Sequence, residues 1–285
     1  MEQSRTALYR RTAFAAVMLL PLLSGCSSSS DDQAATNVPV APVEDLYNNG
    51  IDALHAQRYA SASDQFNAVE QNYPYSSWAS NAQLMAGYTQ YLQNKYTDAI
   101  GTLDRFIQLH PAHRDIAYAY YLRALCYYEQ IADIQRDQRG TQQAMNALQD
   151  VVNRFPETAY ARDAKLKIDL CRDHLAGKEM EIGRWYEGQH LYEAAIGRFQ
   201  RVVDDYQTTN HVPEALHRLT EIYLALGLKT EAEKTAAVLG YNYPGSSWYE
   251  DSYRNLARDG IAAKGAEPAD ASSPGFFSRA WNSVF

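Results

Sequence analysis

One signal recurs along this chain and constrains most of what it can become: a helix end followed at once by a helix start. Tyr73-Pro74-Tyr75-Ser76, Phe155-Pro156-Glu157-Thr158 and Tyr243-Pro244-Gly245-Ser246 are three copies. Tyr206-Gln207-Thr208-Thr209 is a fourth that has lost the proline, and His110-Pro111 opens a more divergent fifth. Proline lacks an amide hydrogen and clashes with the turn before it, so the preceding helix stops there. Two residues on, Ser or Thr stands in four of the copies, the preferred N-cap of a following helix, with His113 the exception. Twelve residues before each junction is a small residue: Ala62, Ala99, Ala144, Ala195 and Ala232. Twelve earlier again, three copies have Gly50, Gly87 and Gly183. Eight before the junction stands a large apolar residue, Phe66, Leu103, Leu148 or Phe199, replaced in the last copy by Ala236. Small, small and large at this spacing is what two antiparallel helices need, because backbones approach where side chains are absent and one bulky group plugs the seam.

Together these copies resemble the 34-residue tetratricopeptide repeat. The expected fold is all-α: about five helix pairs, near 43–76, 80–113, 117–158, 176–209 and 213–246, stacked into a right-handed superhelix over residues 44–258. In the third pair Ala124 and Ala144 are twenty residues apart where twelve are expected, which places a polar excursion at 131–140. Tyr160 to Leu175 runs into the fourth repeat without a break, so a long helix is expected there. The repeat family lines its groove with the fifth, ninth and twelfth positions of each first helix. Carried onto this chain, these are Tyr47, Ile51 and Leu54, then Leu84, Tyr88 and Tyr91, then Tyr121, Leu125 and Tyr128. The five tyrosines offer a rigid amphipathic surface suited to an extended peptide or a partner's helix, although rings at helical spacing also fill seams between repeats.

Residues 1–25 read as a secretory signal. Arg5, Arg10 and Arg11 precede an apolar run from Ala13 to Leu23, too short for a comfortable membrane span. Leu23-Ser24-Gly25-Cys26 then resembles the lipobox of bacterial lipoproteins, which implies cleavage before Cys26, an S-diacylglycerol on its thiol and an N-acyl chain on its new amine. Ser27, where an Asp would signal retention in the inner membrane, implies the outer membrane. Residues 26–43 form the lipidated Cys and a flexible tether; seventeen such residues span about 23 Å. No cofactor is expected beyond that lipid. Loss of three Arg and one Glu with the signal takes the net charge from -8 to -10. Cys126 and Cys171 sit singly in apolar helical stretches and are expected as buried, inert thiols.

An acidic chain lacks the basic face that nucleic acid requires. Nor does it carry G-x-S-x-G, H-E-x-x-H, a glycine-rich phosphate loop or paired Cys ligands, so no enzyme is expected. His110 and His113 have a spacing that a metal could use, but they fall in an inter-repeat turn with no third ligand nearby, so surface histidines are expected. Asp204-Asp205 and Glu231/Glu233 read as solvated helix-end charges.

Two segments carry a narrower resemblance. LDRFIQLHPAHRDIAYAYYLRAL (Leu103–Leu125) and VVNRFPETAYARDAK (Val151–Lys165), behind a lipobox and a short tether, resemble the BamD family of the β-barrel assembly machinery over about residues 20–258. The resemblance implies a scaffold lipid-anchored to the outer membrane and facing the periplasm. It would bind the POTRA domains of the barrel-forming subunit through its C-terminal repeats, and associate with accessory lipoproteins of the complex. Its N-terminal repeats would recognise unfolded outer-membrane proteins. Arg198, in Ala195-Ile196-Gly197-Arg198-Phe199, matches the family's arginine that pairs with a POTRA carboxylate. The rival expectation is a repeat-built coordinator of another envelope system, Tol–Pal or peptidoglycan synthesis, but this chain shows no N-terminal heptads and no plain cleavage site. Residues 259–285 depart from the family as a linker and a short docking helix. Phe277, Trp281 and Phe285 share one helical face there, a docking element for a partner, the membrane interface or the groove in cis.

Overall fold

Helix α1 (Val43–His55) pairs with α2 (Tyr59–Asn72), α3 (Ala79–Leu92) with α4 (Tyr96–Leu109), and α5 (Ile116–Tyr128) with α6 (Arg139–Arg154). The pairs continue with α7 (Ala159–Gly188) and α8 (Tyr192–Asp205), then α9 (Val212–Ala225) and α10 (Lys229–Asn242); α11 (Ser247–Arg258) follows. This is a computed structural model, and it describes residues 41–261. Each helix packs chiefly on its neighbours in sequence, while α3 also meets α5, α5 meets α7 and α9 meets α11. First helices therefore stand beside first helices, and the chain is an all-helical array in tetratricopeptide register. No helix among the described residues is long and apolar enough to cross a membrane.

The seams follow the small–small–large pattern. Ala62, Ala99, Ala144, Ala195 and Ala232 are wholly buried, as are Phe66, Leu103, Leu148 and Phe199. A Cβ added at Gly50 would lie 2.7 Å from the Phe66 ring, one at Gly87 3.0 Å from Leu103, and one at Gly183 2.5 Å from the Phe199 ring. Only a residue without a side chain lets these helices close. In the last pair, where Ala236 leaves the large position empty, Leu256 of α11 joins Ala232 and Ala236 in the core, and Tyr249 covers Gly240.

Four of the five turns from first to second helix share one geometry, the exception being the longer α5–α6 connection. Gln57, Asn94, His190 and Gly227 have positive φ, and the next amide reaches back five residues: Arg58 to Ala53 O at 2.8 Å, Lys95 to Gln90 O at 3.0 Å, Leu191 to Tyr186 O at 2.9 Å and Leu228 to Tyr223 O at 2.8 Å. These are Schellman turns, which satisfy the last carbonyls of a helix while reversing the chain. At the junctions between repeats, side-chain caps form at two of the four expected places. Thr158 Oγ1 accepts from Ala161 N at 3.1 Å and Ser246 Oγ from Trp248 N at 3.2 Å. Ser76 and Thr209 do not cap, because an extra turn delays the starts of α3 and α9 by several residues.

The long helix α7 runs 30 residues and serves two pairs, closing the third and opening the fourth. The segment between α5 and α6, expected as a polar excursion, lies against α7: His174 Nε2 meets Ala132 O at 2.9 Å and Lys178 Nζ donates to Gln135 O at 3.1 Å. Both Cys126 and Cys171 are buried free thiols, and burial pushes them up to about 12 and about 11 respectively. The lipidation site Cys26 and the tail residues Phe277, Trp281 and Phe285 lie outside the described residues.

Candidate binding surfaces

Side-by-side first helices assemble a tyrosine surface over α3, α5 and α7. Tyr88 meets Tyr118 at 6.4 Å between ring centroids, Tyr118 meets Tyr160 at 5.6 Å, and Tyr160 stacks on Tyr121 at 5.2 Å. Tyr121 Oη donates to Asp163, and Tyr91 Oη donates to Glu129 Oε1 at 3.3 Å. Lys167 Nζ sits 5.1 Å over the Tyr128 ring and 3.5 Å from Asp163. Burial, then Glu129, raises the Tyr91 phenol to about 12, while burial followed by the bond to Asp163 raises that of Tyr121. Burial likewise raises Tyr118 and Tyr128. These four phenols are therefore neutral at any physiological pH, and the surface presents ring faces, donated hydroxyls and two carboxylates, with Lys167 beside Asp163.

Of the five expected groove tyrosines, Tyr88, Tyr91, Tyr121 and Tyr128 lie on this surface, whereas Tyr47 does not join it. Tyr47 is half-buried on α1 between Phe66 (5.5 Å) and Trp78 (4.9 Å). The fifth position of a first helix thus has a seam role: Tyr47 packs on Trp78, Tyr121 on Tyr160, and His217 on Trp248 at 5.2 Å. In each case the partner ring stands two residues after the junction's Ser or Thr, which is the sequence signal for Tyr160. Tyr118, Glu129, Asp163 and Lys167 carry no such signal. They reach the surface because neighbouring repeats bring them there.

Arg198 lies on α8, away from the tyrosines. Its Nη1 donates to Glu179 Oε2 of α7 at 2.9 Å, and Arg201 Nη1 donates to the other oxygen of the same carboxylate at 3.1 Å. Glu179 is largely buried, whereas Arg198 keeps about a third of its side chain in solvent. A second arginine on Glu179 means that Arg198 can turn toward another carboxylate without leaving Glu179 unpaired.

Beside it, α9 carries a charged hub. Arg218 lies 3.8 Å from Glu187, 3.7 Å from Glu214 and 3.4 Å from Glu221, and Arg184 pairs with Glu214 at 2.9 Å. Buried His217 holds Ser252 of α11 at 2.8 Å and Glu221 at 3.3 Å. The bond to His217 holds the Glu221 carboxyl below its ordinary value, whereas burial lifts that of Glu187.

Residues 39–239 match a family model, YfiO, described as an outer membrane lipoprotein. The chain belongs to this family. It is 50% identical over 249 residues to the outer membrane protein assembly factor BamD of Caulobacter vibrioides, covering 87% of this chain and 81% of that one. Against the BamD of Rickettsia prowazekii the identity is 48% over 233 residues, covering 82% and 91%. The BamD of Neisseria meningitidis serogroup B is 31% identical over 244 residues, covering 82% and 91%. The matched family span takes in α1 to most of α10 and so includes both surfaces; α11 lies beyond it.

Proposed function

We propose that this chain is a non-catalytic scaffold of outer-membrane protein assembly, lipid-anchored through Cys26 to the periplasmic side of the outer membrane. The observation that carries the reading is 50% identity, across nearly the whole array, to a protein named as an outer membrane protein assembly factor. Two surfaces suit two kinds of partner. The tyrosine surface, formed mainly by Tyr88, Tyr91, Tyr121 and Tyr128 with Tyr118 and Tyr160, takes unfolded outer-membrane proteins as extended segments: rings accept alternate side chains and hydroxyls meet backbone groups. The α7–α8 surface around Arg198 takes a POTRA carboxylate from the barrel-forming subunit, because a planar guanidinium matches a carboxylate and Arg201 keeps Glu179 paired when Arg198 turns to the partner. Other accessory lipoproteins of the complex share the remaining faces.

The test is purification of the native protein from gently solubilised outer membranes, with co-purifying proteins identified by mass spectrometry. A POTRA-bearing barrel protein should be recovered, and Arg198→Glu should deplete it at least tenfold, with helicity unchanged because Arg201 retains Glu179. Recovery of Tol–Pal or peptidoglycan-synthesis proteins in its place would overturn the assembly role and leave the array as a scaffold of another system.

A further inference from the structure

The chain leaves the array at a defined place. Helix α11 ends in the same Schellman turn as the first helices, with Gly260 at φ 73° and Ile261 N donating to Leu256 O at 3.0 Å. In four of the five helix pairs that turn sends the chain back antiparallel. Ile261 packs on the cluster of Ala232, Ala236 and Leu256, and Lys229 Nζ reaches Asp259 O at 3.5 Å. The exit therefore lies beside the first turns of α10.

The other face of α10 forms one wall of a cleft of about 280 Å³. Its other wall is α8 and its floor is α9, with Val203, Leu219, Tyr223 and Val238 as apolar lining and Asp204, Glu231 and Lys234 as its charged groups. Gln200 Nε2 donates to Tyr223 Oη at 3.1 Å, which fixes the ring on the floor. Among the described residues neither Asp204 nor Glu231 has a salt-bridge partner. Desolvation, reinforced by the adjacent Asp205, holds the Asp204 carboxyl above its usual range. The cleft has space for an aromatic ring, and its charged lining is two carboxylates to one ammonium, so a ligand that combines a ring with a cation suits it.

Residues 274–285, PGFFSRAWNSVF, have that chemistry. Phe277 and Trp281 stand at helical spacing, and Arg279 between them is the only charged side chain from 271 to 285. The twelve residues 262–273 that join this segment to the exit can reach at most about 40 Å, at about 3.3 Å per residue, and adjacent helix axes are about 10 Å apart. The cleft is therefore within reach of the tethered segment. We propose that residues 274–285 are an intramolecular ligand of the α8–α10 cleft, with Trp281 entering over Tyr223 and Arg279 facing Asp204 and Glu231. A partner that uses this face of the fourth and fifth repeats must displace the segment first. The proposal rests on the cleft and the segment alone, independently of the assembly role.

Photo-cross-linking of the full chain in detergent tests it, with a photoactivatable phenylalanine analogue at position 277 and the products mapped by mass spectrometry. Intrachain products on α8 and α10 are expected. Their yield should fall at least fivefold in Glu231→Arg and in Arg279→Glu, and recover when the two changes are combined. Position 231 is exposed and position 279 is outside the array, so neither change threatens the fold. Products on the Tyr88–Tyr121 surface, between two copies of the chain, or on detergent, or a yield indifferent to both charge reversals, would each overturn it. Recovery of a POTRA-bearing partner is a separate readout, so failure here leaves the assembly reading standing.

Discussion

At the residue scale, one kind of substitution should have opposite signs at two places. Gly183 faces the Phe199 ring so closely that an added methyl must push a wholly buried aromatic aside. Gly101, in the middle of α4, has nothing within 4 Å of where a Cβ would stand. Ala exceeds Gly in helix propensity by about 1 kcal/mol, while overpacking a core costs about 1–3 kcal/mol. Gly101→Ala should therefore stabilise by about 1 kcal/mol, and Gly183→Ala should destabilise by up to about 2 kcal/mol once the propensity gain is subtracted. Urea denaturation of the two variants checks this, and equal shifts would mean that the seam adjusts freely. The same contrast explains what was legible in the sequence. Gly183 and Phe199 can be read together because both obey a spacing within one repeat. Glu179 could not be read as the partner of Arg198, nor Asp163 as that of Tyr121, because these residues stand outside the small and large positions that mark the repeat.

At the scale of elements, α11 is held by polar contacts as much as by packing, and this makes its attachment depend on pH. It brings Ser252 to His217 and Asn255 to Glu221 (3.3 Å), beside the apolar packing of Leu256, Trp248 and Tyr249. Glu221 has a folded pKa below the ordinary 4.5. Its contribution to stability is then complete above that ordinary value and disappears as pH falls through the lower folded value. Glu187 has the opposite sign: its raised folded pKa gives a contribution present below 4.5 and lost as pH rises through the folded value. Hydrogen-exchange protection factors for α11 should thus decline on acidification below pH 4.5. Glu221→Gln should reduce that acid-side decline, and an unchanged profile would remove Glu221 from the attachment. The pairing of helices and the length of α7 were readable from caps, prolines and apolar period. The clasp of the 131–140 segment by His174 and Lys178 was not, since it depends on which face of α7 passes beneath that segment.

At the scale of the whole molecule, an array in which each repeat meets only its neighbours does not have to unfold as one unit. Its buried clusters are unequal. Phe199, Met180, Leu219 and Ile222 fill the cluster around α7, α8 and α9, whereas the terminal cluster under α11 consists of Ala232, Ala236 and Leu256. At about 25 cal/mol per Å² of apolar burial, that small buried core, with the partly buried Trp248 and Tyr249 rings, holds the end less firmly than the interior is held. The two thiols are placed to report the difference. Cys126 belongs to the cluster joining α3, α4 and α5, and Cys171 to the next, joining α5, α6 and α7. Pushed up to about 12 and about 11, they are almost entirely protonated at pH 8, so a thiol reagent attacks them only after local opening restores an ordinary pKa. With increasing urea, α11 amides should exchange well before either thiol reacts, and the two thiols should then become reactive together because their clusters share α5. Onset of thiol reaction at the urea concentration that exposes α11 would instead make the array a single cooperative body. The polar hub on α9 would then transmit the interior's stability to the end of the chain, and a partner docking on the C-terminal repeats would stiffen the tyrosine surface as well.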